Sequence, residues 1–199
     1  MTDAADPALI DRLHDVAHGY AEHILTLGDQ VALSFILPAR DGHYRVLSVP
    51  DWRDETKARN LAAIQCVLAI EQAPAYAITG EVYLSHNPHA ARPSADPDAI
   101  DGLQFMICDA RGAVRFSCHP IQRDAHGAQI GAVVSQSRSP GSTAGPMAEL
   151  LTAERGATVL SPAIAEQVLR TFGEDLSIQV ATIEAQAPRP GTGHGPAPH

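Results

Sequence analysis

The chain has almost no lysine. Lys57 is the one lysine among 14 basic residues, against 23 aspartates and glutamates, for a formal net charge of −9. No run of lysine and arginine occurs anywhere. A nucleic-acid-binding face works by neutralising many phosphates at once, so that class of partner is disfavoured. The acidic balance mainly favours solubility. Cysteine is scarce as well: Cys66, Cys108 and Cys118 are odd in number and none has C-x-x-C spacing. The polar start, M-T-D-A-A-D-P, carries no leader pattern, and the expectation is a reduced, cytoplasmic setting. No apolar stretch reaches the roughly 18 residues a membrane helix needs, so no membrane partner is expected.

Common catalytic signatures are missing too. There is no G-x-x-x-x-G-K-[ST], no G-x-S-x-G elbow, no H-E-x-x-H and no H-x-E with P-C-x-x-C. A G-x-G-x-G occurs at Gly191, Gly193 and Gly195, in the tail, with no helix after it to cradle a phosphate. These absences remove the motif-bearing enzymes, not enzymes in general.

What is present reads as an ordinary globular chain. It has 199 residues, 45% of them hydrophobic, enough to bury a core without disulfide or metal staples. Asp6 and Pro7 suit the N-cap and first position of a helix. Leu9, Ile10, Leu13, Val16, Ala17, Tyr20 and Ile24 then share one face, and Gly28 ends it. Val31–Leu37 and Tyr44–Val49 flank Asp41-Gly42, which predicts a hairpin with a tight positive-φ pair. A second helix is expected from Asp54 to Gln72, apolar on more than one face and closed by Pro74. Ala75–Ser85 reads as a long strand. Leu103–Asp109 and Val114–His119 read as a second hairpin, and a short strand is expected near Ala128–Val134.

If Asp109 pairs with Gly112, then Leu103, Phe105, Ile107, Val114, Phe116 and Cys118 share the core face. Gln104, Arg115 and Ser117 would take the other. Ser137–Pro146 has linker composition. Helices are expected at about Met147–Glu154 and from Ser161-Pro162 to Gly173, a helical extension over about 146–174. Residues 186–199 read as a disordered Pro/Gly-rich tail. The expectation is one α+β domain over 1–185, a mainly antiparallel sheet of about five to six strands with helices packed on one face. The expected order is α-β-β-α-β-β-β-(β)-α-α.

Three constellations could carry chemistry. His14, His18 and Glu22 are spaced i, i+4, i+8 on the first helix, a spacing that can bind a metal. They read more simply as its solvated face, opposite the apolar stripe. His86 and His89, with Asp96, Asp98 and Asp101 downstream, lie in the loop S-H-N-P-H-A-A-R-P-S-A-D-P-D-A-I-D-G. With His119, such imidazoles and carboxylates are the ligand types of a divalent transition-metal site. Asp96-Pro97 also fits a helix N-cap, which would employ one carboxylate structurally. Glu81, with Thr79 and Tyr83, lies on the less apolar face of the third strand. There Glu81 could serve as a general base or hold an arginine such as Arg115 across the sheet. Glu81 and His119 are the catalytic candidates. Tyr83, Arg115 and Arg123 are the ligand-binding candidates. The three cysteines read as small buried hydrophobes.

The stretches A-I-T-G-E-V-Y-L-S, R-P-S-A-D-P-D and L-Q-F-M-I-C-D-A-R-G also resemble a pattern in uncharacterised bacterial and phage-encoded proteins. In that pattern a strand with a glutamate and an aromatic residue leads into a P-S-x-D-P-D loop and a hairpin. The likeness covers about Ala75–Cys118. Tyr83 stands where tryptophan is expected and Ala99 where a basic residue is. The resemblance implies no known activity; it draws attention to Glu81, Asp96 and Asp98.

Together these features point to a non-enzymatic binding or self-associating module, a homo-oligomer or the partner of another protein, needing no cofactor. Two alternatives stand beside it. One is a small metal-dependent hydrolase-like enzyme using His86, His89, His119 and a carboxylate. The other is a small-ligand sensor with its pocket between the sheet and the central helix.

Overall fold

The computed structural model describes residues 5–85, 87, 89, 93–125, 127–138, 147, 150, 151, 167, 170, 171 and 178–184. Helix α1 spans Pro7–Thr26, and the Asp6 carboxylate accepts the Ala8 N–H at 3.1 Å. Helix α2 spans Asp54–Glu71. The strands are β1 (Leu33–Pro38), β2 (Tyr44–Val49), β3 (Ala75–Leu84), β4 (Ile100–Asp109), β5 (Gly112–Asp124), β6 (Gly127–Ile130), β7 (Ser135–Arg138) and β8 (Gln179–Ile183). They form one sheet in the order β6-β5-β4-β3-β1-β2-β8, with β7 paired to β5, and every pairing is antiparallel. The α+β class with an antiparallel sheet is as expected. Among the described residues the sheet has eight strands, not five or six.

The helices lie on both faces of the sheet, not on one. Leu13, Ala17, Ala21 and Leu25 of α1 pack with Ile36, Val46, Ala75, Ala77, Leu103 and Phe105. Ala63, Ile64, Val67 and Leu68 of α2 pack with Phe35, Leu37, Leu47, Tyr76 and Ile78. Neighbouring strand residues thus belong to opposite cores. A strand buried on both faces reads as a continuous apolar run rather than an alternation. The run F-I-L in β1 carried that signal.

The β1–β2 hairpin forms as expected, with a different turn. Ala39 N–H donates to the His43 carbonyl at 2.8 Å and Gly42 N–H to the Ala39 carbonyl at 3.1 Å. The turn therefore needs one left-handed residue, Gly42 at φ 86°, and not a pair.

The β4–β5 hairpin brings the more consequential correction. Asp109 does pair with Gly112, but the register shifts between Ile107 and Cys108, because Val114 is an extra residue on β5. A bulge of one residue transfers all that follows to the opposite face. Ile107, Phe105 and Leu103 now oppose Arg115, Ser117 and His119. These three polar residues therefore lie on the α1 face. Phe116 and Cys118 take the other, opposite Met106 and Gln104. Cys118 is buried, but on the α2 side. Cys66 is exposed on α2, against the expectation of burial; Cys108 is buried.

Strands β7 and β8 were not anticipated. β7 reads S-Q-S-R with every residue exposed, so no hydrophobic pattern marks it; backbone pairing to Arg115–Cys118 forms it. β8 pairs with β2 and is exposed over most of its length. Of the expected C-terminal helices, Gln167, Arg170 and Thr171 are helical, and the rest lies largely outside the described residues. Leu150, Leu151 and Ile178 are buried in the α2-side core, and the Tyr76 hydroxyl donates to the Met147 carbonyl. The tail at 186–199 lies outside the described residues. No described helix is long and apolar enough to cross a membrane.

One ionic clasp ties α2 to the first hairpin and to β8. Glu71, buried at the end of α2, accepts the Arg40 backbone N–H at 3.0 Å and Arg45 Nε at 3.2 Å. Arg45 also donates to Asp41 at 2.7 Å and to the Thr182 hydroxyl at 2.9 Å. Removing the carboxylate strands the Arg40 backbone donor and leaves the largely buried Arg45 with one carboxylate instead of two. Glu71→Ala is expected to cost about 2–3 kcal/mol in urea unfolding, and Glu71→Gln less because an acceptor remains. A loss below about 0.5 kcal/mol would mean the clasp behaves as a surface pair.

Candidate functional site

The α1 face of the sheet becomes polar toward the C-terminal end of the helix. Alternation along β3 places Thr79, Glu81 and Tyr83 on that face, with Asp101 opposite Tyr83 on β4. Thr79 is fully buried and its hydroxyl has no hydrogen-bond partner among the described residues. Two residues on, Glu81 is strapped to the segment before β1. Its N–H donates to the Val31 carbonyl at 3.0 Å, and its Oε1 accepts the Val31 N–H at 2.9 Å. Its Oε2 accepts Arg123 Nη2 at 3.1 Å. Arg123 Nε lies 3.6 Å from Asp101 Oδ2, an ionic contact too long for a good hydrogen bond.

Gly28 and Gln30 close the other wall, so a cleft of about 390 Å³ opens between the end of α1 and the ends of β3, β4 and β5. Glu81 is nearly buried at its base, with a side-chain exposure of 12%. Arg123 and Asp101 are about half exposed, and Tyr83 is exposed. Three candidates named from sequence, Glu81, Tyr83 and Arg123, line this one cleft.

Arg115 does not join them. It donates to Asp11 of α1 at 2.9 Å, and Arg138 reaches the same oxygen at 2.7 Å. The arginine across the sheet from Glu81 is Arg123, not Arg115. Arg115 opposes Ile107, while Glu81 opposes Leu103, and four residues of strand are about 13 Å.

His119 belongs to a second, more buried cluster. Its Nδ1 lies 3.1 Å from the Gly131 carbonyl, which can only accept, so Nδ1 carries the proton. Its Nε2 then accepts from the Ser117 hydroxyl at 3.3 Å, and Ser117 Oγ lies 3.5 Å from His14 Nε2. The rings of His14, His18 and His119 surround Phe105, with centroids 5.7, 5.5 and 5.5 Å from it. His14 and His18 were expected on the solvated face of α1. They flank the Leu13–Ala17–Ala21 stripe instead and lie against the sheet, with 12% of the His14 side chain exposed. Burial, aided by the Arg115 charge and opposed by Asp15, lowers the His14 pKa from 6.5 to about 4. Burial also lowers that of His18, against the pull of Glu22.

Among the described residues, the loop candidates do not converge. His86 lies outside the described residues. His89 is exposed in a turn, its N–H donating to Asn87 Oδ1 at 2.9 Å. Asp96 is buried and accepts from the Ser85 hydroxyl and from the Asp98 N–H, so it braces the loop; Asp98 is exposed. Among the described residues no three His, Cys, Asp or Glu side chains gather closely enough to hold a metal ion. Sequence reasoning gave Asp101 no place beside Arg123; the pairing of β4 with both β3 and β5 supplies it. It also missed Ser117, which the Val114 bulge turns inward.

No family model, curated protein or solved structure matches this chain. The pocket envisaged between sheet and central helix is occupied by packed core, Phe35, Ile64, Leu68 and Tyr76 among it. The cleft lies on the opposite side of the sheet.

Proposed function

We propose that the chain is a non-catalytic binding module whose ligand site is the cleft at the end of α1. The observation that carries this reading is the convergence of Glu81, Tyr83, Asp101 and Arg123 from three neighbouring strands on one concave surface. Its volume falls in the range of small-molecule sites. Binding is favoured over catalysis by how Glu81 is employed. Both its oxygens already accept hydrogen bonds, so it is a positioning group for Arg123 rather than an available base. Tyr83, Asp101 and Arg123 are the side chains that offer exposed surface to a ligand.

The test is a thermal-shift screen of small polar compounds against the wild type, Tyr83→Ala and Arg123→Ala. A ligand at about 100 times its Kd stabilises the wild type by about 2.7 kcal/mol. Each variant is expected to weaken that ligand at least tenfold while remaining folded. Ligands that stabilise all three proteins equally would place binding elsewhere and defeat the reading.

A further inference from the structure

We infer that the cleft takes a small zwitterion of the α-amino-acid class, an inference that rests on the cleft being the ligand site. The charges inside it are mixed: two carboxylates, Glu81 and Asp101, and one guanidinium, Arg123. Glu81 is spent on Val31 and Arg123. Arg123 Nη2 is held by Glu81 and its Nε faces Asp101 at 3.6 Å, while the side chain lines the cleft and stays 44% exposed. A guanidinium that stays partly exposed is matched by a carboxylate. Asp101 is 49% exposed, and its one ionic contact among the described residues, to Arg123 Nε at 3.6 Å, leaves acceptor sites for an ammonium group. Tyr83, directly opposite Asp101 in the β3–β4 register and 56% exposed, presents a ring beside the same position. A cation over that ring is further stabilised. The C-terminal end of α1, whose partial charge is negative, forms the adjoining wall at Gly28.

Spacing selects among zwitterions. Arg123 Nε and Asp101 Oδ2 are 3.6 Å apart, so the two complementary ligand charges must also be close neighbours. In an α-amino acid the ammonium and carboxylate share one carbon. In an ω-amino acid they are separated by a chain that would have to fold back. An isolated anion would meet Asp101 and Glu81, and an isolated cation would meet Arg123, so either alone leaves a like charge opposed.

The experiment is amide chemical-shift mapping on the full chain, with free amino acids, their methyl esters and their N-acetyl derivatives as probes. A set of unrelated small polar fragments runs alongside. The expected result is that free amino acids shift the amides of Glu81, Tyr83, Asp101 and Arg123. Esters and N-acetyl forms should bind at least tenfold more weakly. Asp101→Asn, at an exposed position and hence folded, should lose the preference for the free amine over its N-acetyl form. Esters or N-acetyl forms binding as well as the parent would overturn the class and leave the cleft reading standing. So would unrelated fragments, and not amino acids, shifting these amides. If no probe or fragment moves them, both readings fall.

Discussion

Phe105→Ala is expected to destabilise the protein by about 3–5 kcal/mol, the largest effect of any single change argued from this structure. The ring is fully buried on β4, beneath α1, and the imidazoles of His14, His18 and His119 all lie against it. Truncation removes its transfer free energy and leaves a void that three half-buried polar rings cannot fill without losing their own contacts. For a chain of this size the melting temperature should fall by roughly 2–4 °C per kcal/mol. Phe105→Leu keeps most of the volume and should cost less than half as much. Urea unfolding of the three proteins decides it. A Phe105→Ala loss under about 1 kcal/mol would mean that α1 is not seated on this ring.

Acid should loosen the same interface. The folded pKa of His14 is about 4, below its ordinary value of 6.5, because burial and the nearby Arg115 charge disfavour the imidazolium. Below pH 6.5 the unfolded chain therefore binds a proton that the folded chain refuses. Stability from this group is fully present above about pH 7 and is lost progressively as pH falls from 6.5 toward 4. His18, shifted in the same direction, adds to the loss. Charges facing this cluster are Asp11, Asp15 and Glu22 on α1 and Arg115 on β5, with the His119 ring beside them; Arg138 on β7 is tied to Asp11. Discounting for partial exposure, the change between pH 7.5 and pH 4.5 is about 2 kcal/mol. His14→Gln keeps a group able to reach Ser117 and carries no titrating charge, so its unfolding free energy should depend less on pH over this window. Parallel pH profiles for wild type and His14→Gln would reject burial of His14 as the source. The two experiments are linked: in Phe105→Ala the histidines gain solvent, and the acid sensitivity should shrink with the stability.

Much of the fold was legible because short-range rules acted alone. The Asp6-Pro7 cap, the apolar stripe of α1, the ends of α2 and the strands β1 to β4 follow from capping and periodicity within one element. Where pairing between distant segments decided the outcome, the sequence carried little signal. β7 has no apolar residue, and β8 lies on a sheet edge more than 120 residues from the β2 residues it pairs with. Both are strands because a neighbour offers hydrogen bonds, not because of their own pattern. The site was legible in part. Glu81, Tyr83 and Arg123 could be named as candidates from residue type and position. That they share a cleft while Arg115 pairs with Asp11 depends on register, and register turns on a single bulged residue, Val114.

By itself, then, the sequence determined α1, α2 and strands β1 to β4, the α+β class, the capped start of α1 and most of the hydrophobic residues that had to be buried, since each depends on chemistry within a few residues. Tertiary structure alone decided which side of the sheet each helix covers, which face Ser117 and His119 occupy, and which charges meet. Strand side chains alternate with a period of two, so one inserted residue reverses every later assignment, and nothing local to that residue announces it.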